Sequence, residues 1–273
     1  MIRFGGLPLA LLALSGLLGL TAQVEARTIC TVLADARSGK ILVEDGDCRT
    51  RVTPASTFKI ALAVMGHDAG FLKDETTPAL PFVEGYPDWG GANWRQTTTP
   101  ARWMTHSVVW YSQRIAHALG VERLAAYTSA FGYGNSDWAG DPGKDNALDR
   151  AWISSSLKIA PVEQVGFLGR LLRQELPVKG DSVAFLETIL DRRDVDGWQV
   201  RGKTGSAYPR RKDGSLDRAR GWGWFVGWAT RGDTDLVFAR LDQDENRQQT
   251  SAGIRTRDAF IAAWPALSGR VAK

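Results

Sequence analysis

From Phe58 to Met65 the chain reads FKIALAVM. Wound as a helix, this run is apolar on nearly every face, and such a helix has to lie in the middle of a protein with other elements packed around it. The rest of the chain must therefore supply a shell. It is long enough: 273 residues, 44% hydrophobic and 23% charged, suffice for a sizeable core in one domain or one domain with two lobes. Thr53 and Pro54 read as the N-cap and first residue of this helix, which should run to about Met65 and stop near Gly66. One side chain does not suit the run. Lys59 is set in it, three residues after Ser56.

Ahead of the helix, ICTVLADA and KILVE predict a hairpin over about 28–44 that turns at Arg37-Ser38-Gly39. Behind it, 73–102 reads as irregular, with Trp89 and Trp94 inside and Trp103 just past its end. Helical periods return in HSVVWYSQRIAHAL, closed by Gly120, and in VERLAAYTSAF, closed by Gly132. Pro161 opens another helix through VEQVGFLGRLLRQEL, and Ser182 reads as the cap of VAFLETILD. Near Trp198 the pattern changes. WQVRGKTG, GWGWFVGWAT and DLVFARLDQ read as strands, with a turn at Asp213-Gly214, and TRDAFIAAW closes the chain as a helix. Strands at both ends with helices between them predict an α+β fold: an antiparallel sheet built from both termini and flanked by helices, plus an inserted, mostly helical lobe. The sheet lobe would take about 27–53 and 190–273, and the helical lobe about 54–189.

Residues 1–26 differ from the rest. Arg3 precedes an apolar run over 7–20, and small residues stand at Val24 and Ala26. That is the order of a secretory leader, and the apolar run is too short to span a bilayer comfortably. Cleavage after Ala26 is expected, leaving a periplasmic domain, 27–273, with no membrane attachment. In an oxidising compartment Cys30 and Cys48 read as a disulfide; the alternative is two small buried hydrophobes. Two Cys and three scattered His offer no metal-ligand spacing. A net charge of +4 is too weak to point to nucleic acid, and Arg210-Arg211-Lys212 is interrupted at once by Asp213 and Asp217, as in a solvated loop. Nothing in the pattern fixes an oligomeric state.

Ser56 and Lys59 fall on one helix face. Near the helix N-terminus an alkoxide on Ser56 would be stabilised, and the Ser56 N–H could donate to an oxyanion. Desolvation lowers a lysine's pKa, and a neutral amine is a base that can take the serine proton. Ser-x-x-Lys alone turns up about once by chance in a chain this long, and a lysine in an apolar run usually snorkels. Lys203-Thr204-Gly205 is rarer. It stands at the end of a predicted strand, after Ser107-Val108-Val109 at a helix start and Tyr133-Gly134-Asn135 after a helix. His67, His106 and His117 make no Ser-His-Asp case, and no G-x-S-x-G elbow occurs. Glu163 reads as a helix-surface residue.

The ordered set resembles the penicillin-recognising serine enzymes, and within them the class D β-lactamases. PASTFKIALAVMG, SVVWYSQ, YGN, WISSSLKIAPVEQVGFL and KTGS with GWFVGW behind it are similar to that family across the whole mature chain. The resemblance implies a β-lactam hydrolase that confers resistance. Ser56 would be the acylated nucleophile, and Lys59 the base, carried as a carbamate formed with CO2. No other cofactor is implied, and the partner would be a small-molecule β-lactam. Trp152 would hydrogen-bond the carbamate and Val109 pack beside it, although on the residues alone Trp152, one of 11 tryptophans, reads as core. Ser107 would relay a proton to the leaving nitrogen. Lys203 would supply positive potential, and Thr204 would help hold the substrate carboxylate. The N–H groups of Ser56 and Ser206 would form the oxyanion hole. Arg255 best matches the family's carboxylate-binding arginine, with Arg257 a near competitor. Tyr133, Gly134, Asn135 and Gly205 are motif positions expected to shape the site, and loops near Trp103 and over 208–220 to set substrate preference. An antibiotic sensor domain or a peptidoglycan DD-peptidase shares these motifs and is the alternative.

Overall fold

The computed structural model describes residues 1, 2 and 26–271. The leader expected over 1–26 therefore lies almost wholly outside the described residues. The rest is an α+β fold built on a six-stranded antiparallel sheet, in the order β2-β1-β6-β5-β4-β3. The strands are β1 (Ala26–Asp35), β2 (Ile41–Gly46), β3 (Arg192–Val195), β4 (Trp198–Ala207), β5 (Trp222–Arg231) and β6 (Thr234–Asp244). β1 pairs with β6, so the two ends of the chain close one sheet.

Between β2 and β3 run α1 (Phe58–Asp68), α2 (Pro100–His106), α3 (Val109–Leu119), α4 (Val121–Ala130), α5 (Ala147–Arg150), α6 (Pro161–Leu172) and α7 (Ser182–Ile189), and α8 (Ala252–Val271) ends the described chain. Period-two alternation gives the sheet two buried faces. Trp224, Val226 and Trp228 of β5 and Val237, Ala239 and Leu241 of β6 join the core around α1. Their neighbours Phe225, Ala229, Leu236 and Phe238 pack with Phe260 and Trp264 of α8 on the other side. Gly223 lets α8 come this close: a Cβ there would meet Thr256 Oγ1 at 2.3 Å.

All residues from Phe58 to Gly66 in α1 are buried, Lys59 among them. Phe58, Ile60, Leu62, Val64 and Met65 each gain about 1.5–3 kcal/mol by leaving water. That sum holds the helix in place although an unpaired ammonium on Lys59 would cost several kcal/mol there.

Several local expectations are corrected. Thr53 does not cap α1. A 3-10 turn, Ala55–Thr57, comes first, and the Thr53 hydroxyl donates to Trp152 O instead. α1 runs through Gly66 to Asp68. The segment read as irregular ends in α2, whose cap is Thr99 with Pro100 behind it. α3 starts at Val109 rather than His106, because Ser107 takes a left-handed conformation. α6 ends at Leu172, Ser182 is the first residue of α7 rather than its cap, and α8 continues past Pro265. β3 is too short and polar to stand out in the sequence.

Candidate active site

Ser56 is half-buried in the 3-10 turn ahead of α1, and tertiary hydrogen bonds fix that turn. Trp152 O accepts from Ala55 N at 3.0 Å and from Thr53 Oγ1 at 2.9 Å. Ser154 N donates back to Thr53 Oγ1 at 3.0 Å, and Trp224 Nε1 donates to Thr53 O at 2.9 Å. Thr57 Oγ1 donates to Pro54 O at 2.7 Å and accepts from Gln164 Nε2 at 2.9 Å. β4 presses on the other side, where a Cβ on Gly205 would lie 2.9 Å from Pro54 O. Ala55 (φ 51°), Ser107 (φ 55°) and Ser154 (φ 53°) are left-handed without being glycine, and all three line one cavity. Such backbone costs on the order of 1 kcal/mol per residue and persists only where the surroundings over-determine it.

The cavity holds about 650 Å³, with Ser56, Ser107, Val109, Lys203, Thr204 and Ser206 in its wall. A larger one of about 880 Å³, under the 137–145 loop, contains neither Ser56 nor either buried lysine, so the chemistry belongs to the smaller. β3 pairs with β4 only up to Arg201. The β4 edge from Lys203 onward is thereby left to face the cavity.

Lys59 is 0% exposed, and its Nζ lies 3.4 Å from Ser56 Oγ. Burial holds its pKa well below the ordinary lysine value, and the positive charge of Lys203 pushes the same way. Lys203 is 5% exposed and donates to Thr204 O at 3.3 Å. Burial lowers its pKa to about 8; Asp191 opposes that shift and Arg257 adds to it. Trp152 is buried, its ring 5.6 Å from that of Phe58. The Ser206 hydroxyl is committed to Ser251 Oγ at 2.6 Å and Gly253 N at 2.8 Å, so what it offers the cavity is backbone.

Tyr133, Gly134 and Asn135 do not reach the cavity wall. Tyr133 is buried against Phe58 and Phe167. Burial raises the pKa of its hydroxyl, which lies beside Thr57 and Gln164 without a well-formed hydrogen bond. Gly134 has φ 62°, and a Cβ there would meet Lys158 O at 1.9 Å. Asn135 donates to Ser156 O and accepts from Lys158 N. The motif thus moors the segment that carries Trp152. Glu163 is bound to Arg51 and accepts from Ala160 N at 2.9 Å, away from Ser56.

Arg255 is turned away from the cavity. Its guanidinium is bound to Asp244 and Thr250 O, while Arg257 lines the wall with Lys203. Two residues apart on a helix is about 200° of rotation, so only one of the pair can face the site. Trp103 itself is fully buried, and near it Thr105, His106, Trp89 and Trp94 line the cavity. The 208–220 loop contributes Tyr208, Leu216 and Arg218. Arg150, Ile153, Ser154 and Ser251 were missed by sequence reasoning; no spacing rule ties them to Ser56. Cys30 and Cys48 form a disulfide that ties β1 to the chain leaving β2. Among the described residues no group of His, Cys, Asp or Glu could hold a metal ion.

Residues 29–263 match the family model for the penicillin-binding protein transpeptidase domain. The chain is 39% identical over 251 residues to the β-lactamase OXA-9 of Klebsiella pneumoniae, covering 91% of each. It is 35% identical over 221 residues to the β-lactamase OXA-1 of Escherichia coli, covering 76% of each. The crystal structure of the class D β-lactamase OXA-427 superposes with a TM-score of 0.83 at 47% identity, covering 89% of this chain and 99% of that one.

Proposed function

The chain belongs to the penicillin-binding protein transpeptidase family and, within it, to the class D serine β-lactamases, and from that premise we propose that it hydrolyses β-lactams through an acyl-Ser56 intermediate, with carboxylated Lys59 as the base. The observation that carries this reading is Lys59 itself: fully enclosed, 3.4 Å from Ser56 Oγ and shifted toward the neutral amine. Only a neutral amine adds CO2. The fit is chemical: among the described residues Lys59 Nζ has only Ser56 Oγ as a hydrogen-bond partner and no carboxylate in a salt bridge with it, and it is fully buried. When formed, the carbamate supplies an anionic base beside Ser56.

The remaining roles fall to the chain's own groups. Ser56 Oγ forms an ester with the lactam carbonyl carbon as the C–N bond breaks, and the departing nitrogen takes a proton by way of Ser107. The Ser56 and Ser206 N–H groups receive the oxyanion. Lys203, Thr204 and Arg257 hold the substrate carboxylate; Arg257 takes the place first given to Arg255. Water then cleaves the ester and returns the hydrogen to Ser56 Oγ. We place the mature chain in the periplasm after removal of residues 1–26, a reading supported by the Cys30–Cys48 disulfide. Among the described residues no helix is long and apolar enough to cross a membrane.

Carbon-13 NMR in labelled bicarbonate tests the base, and rapid quench tests the cycle. A carbamate resonance, activity that falls in CO2-depleted acidic buffer and recovers with bicarbonate, and an acyl-enzyme lasting seconds or less are expected. An acyl-enzyme lasting hours would point instead to a sensor or a DD-peptidase. Full activity without a carbamate resonance would remove Lys59 as a carboxylated base.

A further inference from the structure

Arg150, Lys203, Arg218 and Arg257 line the cavity that holds Ser56, and among its described lining residues there is no Asp or Glu. One substrate carboxylate does not require four cations, and their placement divides them. Lys203 and Arg257 share the crevice at one end of the free β4 edge. Arg218 stands at the other end, with its guanidinium carbon 5.4 Å from the centroid of the Tyr208 ring. Lys203 and Tyr208 are five residues apart, roughly 17 Å of strand. A single carboxylate cannot serve both ends.

The neighbouring acids leave this second end positive. Asp217 is held by Arg211 at 2.9 Å. Asp141 is bound by Arg210 at 2.5 Å and shared with Arg150 at 3.7 Å. Among the described residues no carboxylate pairs with Arg218. Ile153 and Leu216 add apolar wall to the same cavity.

We propose that Arg218, assisted by Arg150, forms a second anion subsite that selects β-lactams whose acyl side chain carries its own carboxylate or sulfonate. This rests on the β-lactamase reading above. The core carboxylate binds at the Lys203–Arg257 end, Ser56 attacks between the two ends, and the side-chain anion points toward Tyr208. Tyr208 carries the arginine on its ring face, which fixes the cation where the loop leaves β4.

The test compares two penicillins, one with an uncharged phenylacetyl side chain and one with the α-carboxylated form of that side chain. The readout is the ratio of their kcat/KM values in wild type, Arg218→Gln and Arg218→Glu at low ionic strength. Arg218→Gln is expected to shift the ratio about fivefold against the dianion, the size of an exposed charge pair, and Arg218→Glu to shift it further. Arg150→Gln shifts it less, because Asp141 already shares that charge. Added salt narrows the wild-type ratio. An unchanged ratio in all variants, with both substrates still turned over, overturns the subsite and leaves the β-lactamase reading intact. Turnover of neither substrate by wild type overturns both.

Discussion

Lys59 on α1 and Lys203 on β4 are both buried, and the charge of Lys203 acts on Lys59. Yet their surroundings push them differently. Lys59 sits among apolar α1 residues with a serine hydroxyl as its neighbour, so desolvation is unopposed. Lys203 has Asp191 to draw it back toward the charged form, and its pKa of about 8 leaves it mostly protonated at neutral pH. The same residue type is thus shifted toward the neutral amine on the helix and drawn back toward the charged form on the strand. The Lys203 charge adds to the downward shift of the Lys59 amine. What separates them is less the extent of burial than the presence of a carboxylate nearby.

The largest expected effect breaks the helical half of that pair. Lys59→Ala should lower turnover by at least about 10³-fold, the scale of a lost general base, and stopped-flow with mass spectrometry should find either no acylation or a trapped acyl-enzyme. Near-normal turnover would remove Lys59 as the base.

The strand half gives the next effect. Lys203→Met should cost about 10- to 100-fold in kcat/KM, as for a lost charged hydrogen bond, and Lys203→Arg should retain most of it. In wild type kcat/KM should fall as pH rises through about 8, because the ammonium discharges there; in Lys203→Arg that limb should be absent. Stability carries the opposite sign. The folded-state pKa lies below the unfolded value, so between about pH 8 and 10.5 the unfolded chain holds the proton longer and wild type should gain stability over Lys203→Met as pH rises. Urea titrations across that window check it.

The smallest effect tests the contact between the halves. Gly205→Ala puts a Cβ 2.9 Å from Pro54 O and 3.1 Å from Thr57 N. Displacing the nucleophile turn from β4 should lower kcat about tenfold with both lysines untouched. An unchanged kcat would mean that the two halves work without close register.

Much of this site was legible because its parts are local patterns. Ser56 and Lys59 are one helical turn apart, and Lys203 to Ser206 are consecutive. The alternation in GWGWFVGW marks a strand buried on both faces, as found. The misses share a different cause. The start of α1 was misplaced because Thr53 bonds Trp152 and Ser154, about 100 residues away, rather than its own helix. Arg255 was favoured over Arg257 because motif spacing says nothing of Asp244.

By itself the sequence determined that a helix apolar on all sides must be enclosed, that strands from both ends must pair to enclose it, and which motifs lie along the way. These follow from side-chain solubility and from the two backbone periods, which are properties of neighbours in the chain. Only the tertiary structure decided which arginine faces the cavity, where the four cations stand and which buried lysine has a carboxylate nearby. Those depend on distances between groups that folding alone brings together, and charge interactions have no sequence period to reveal them.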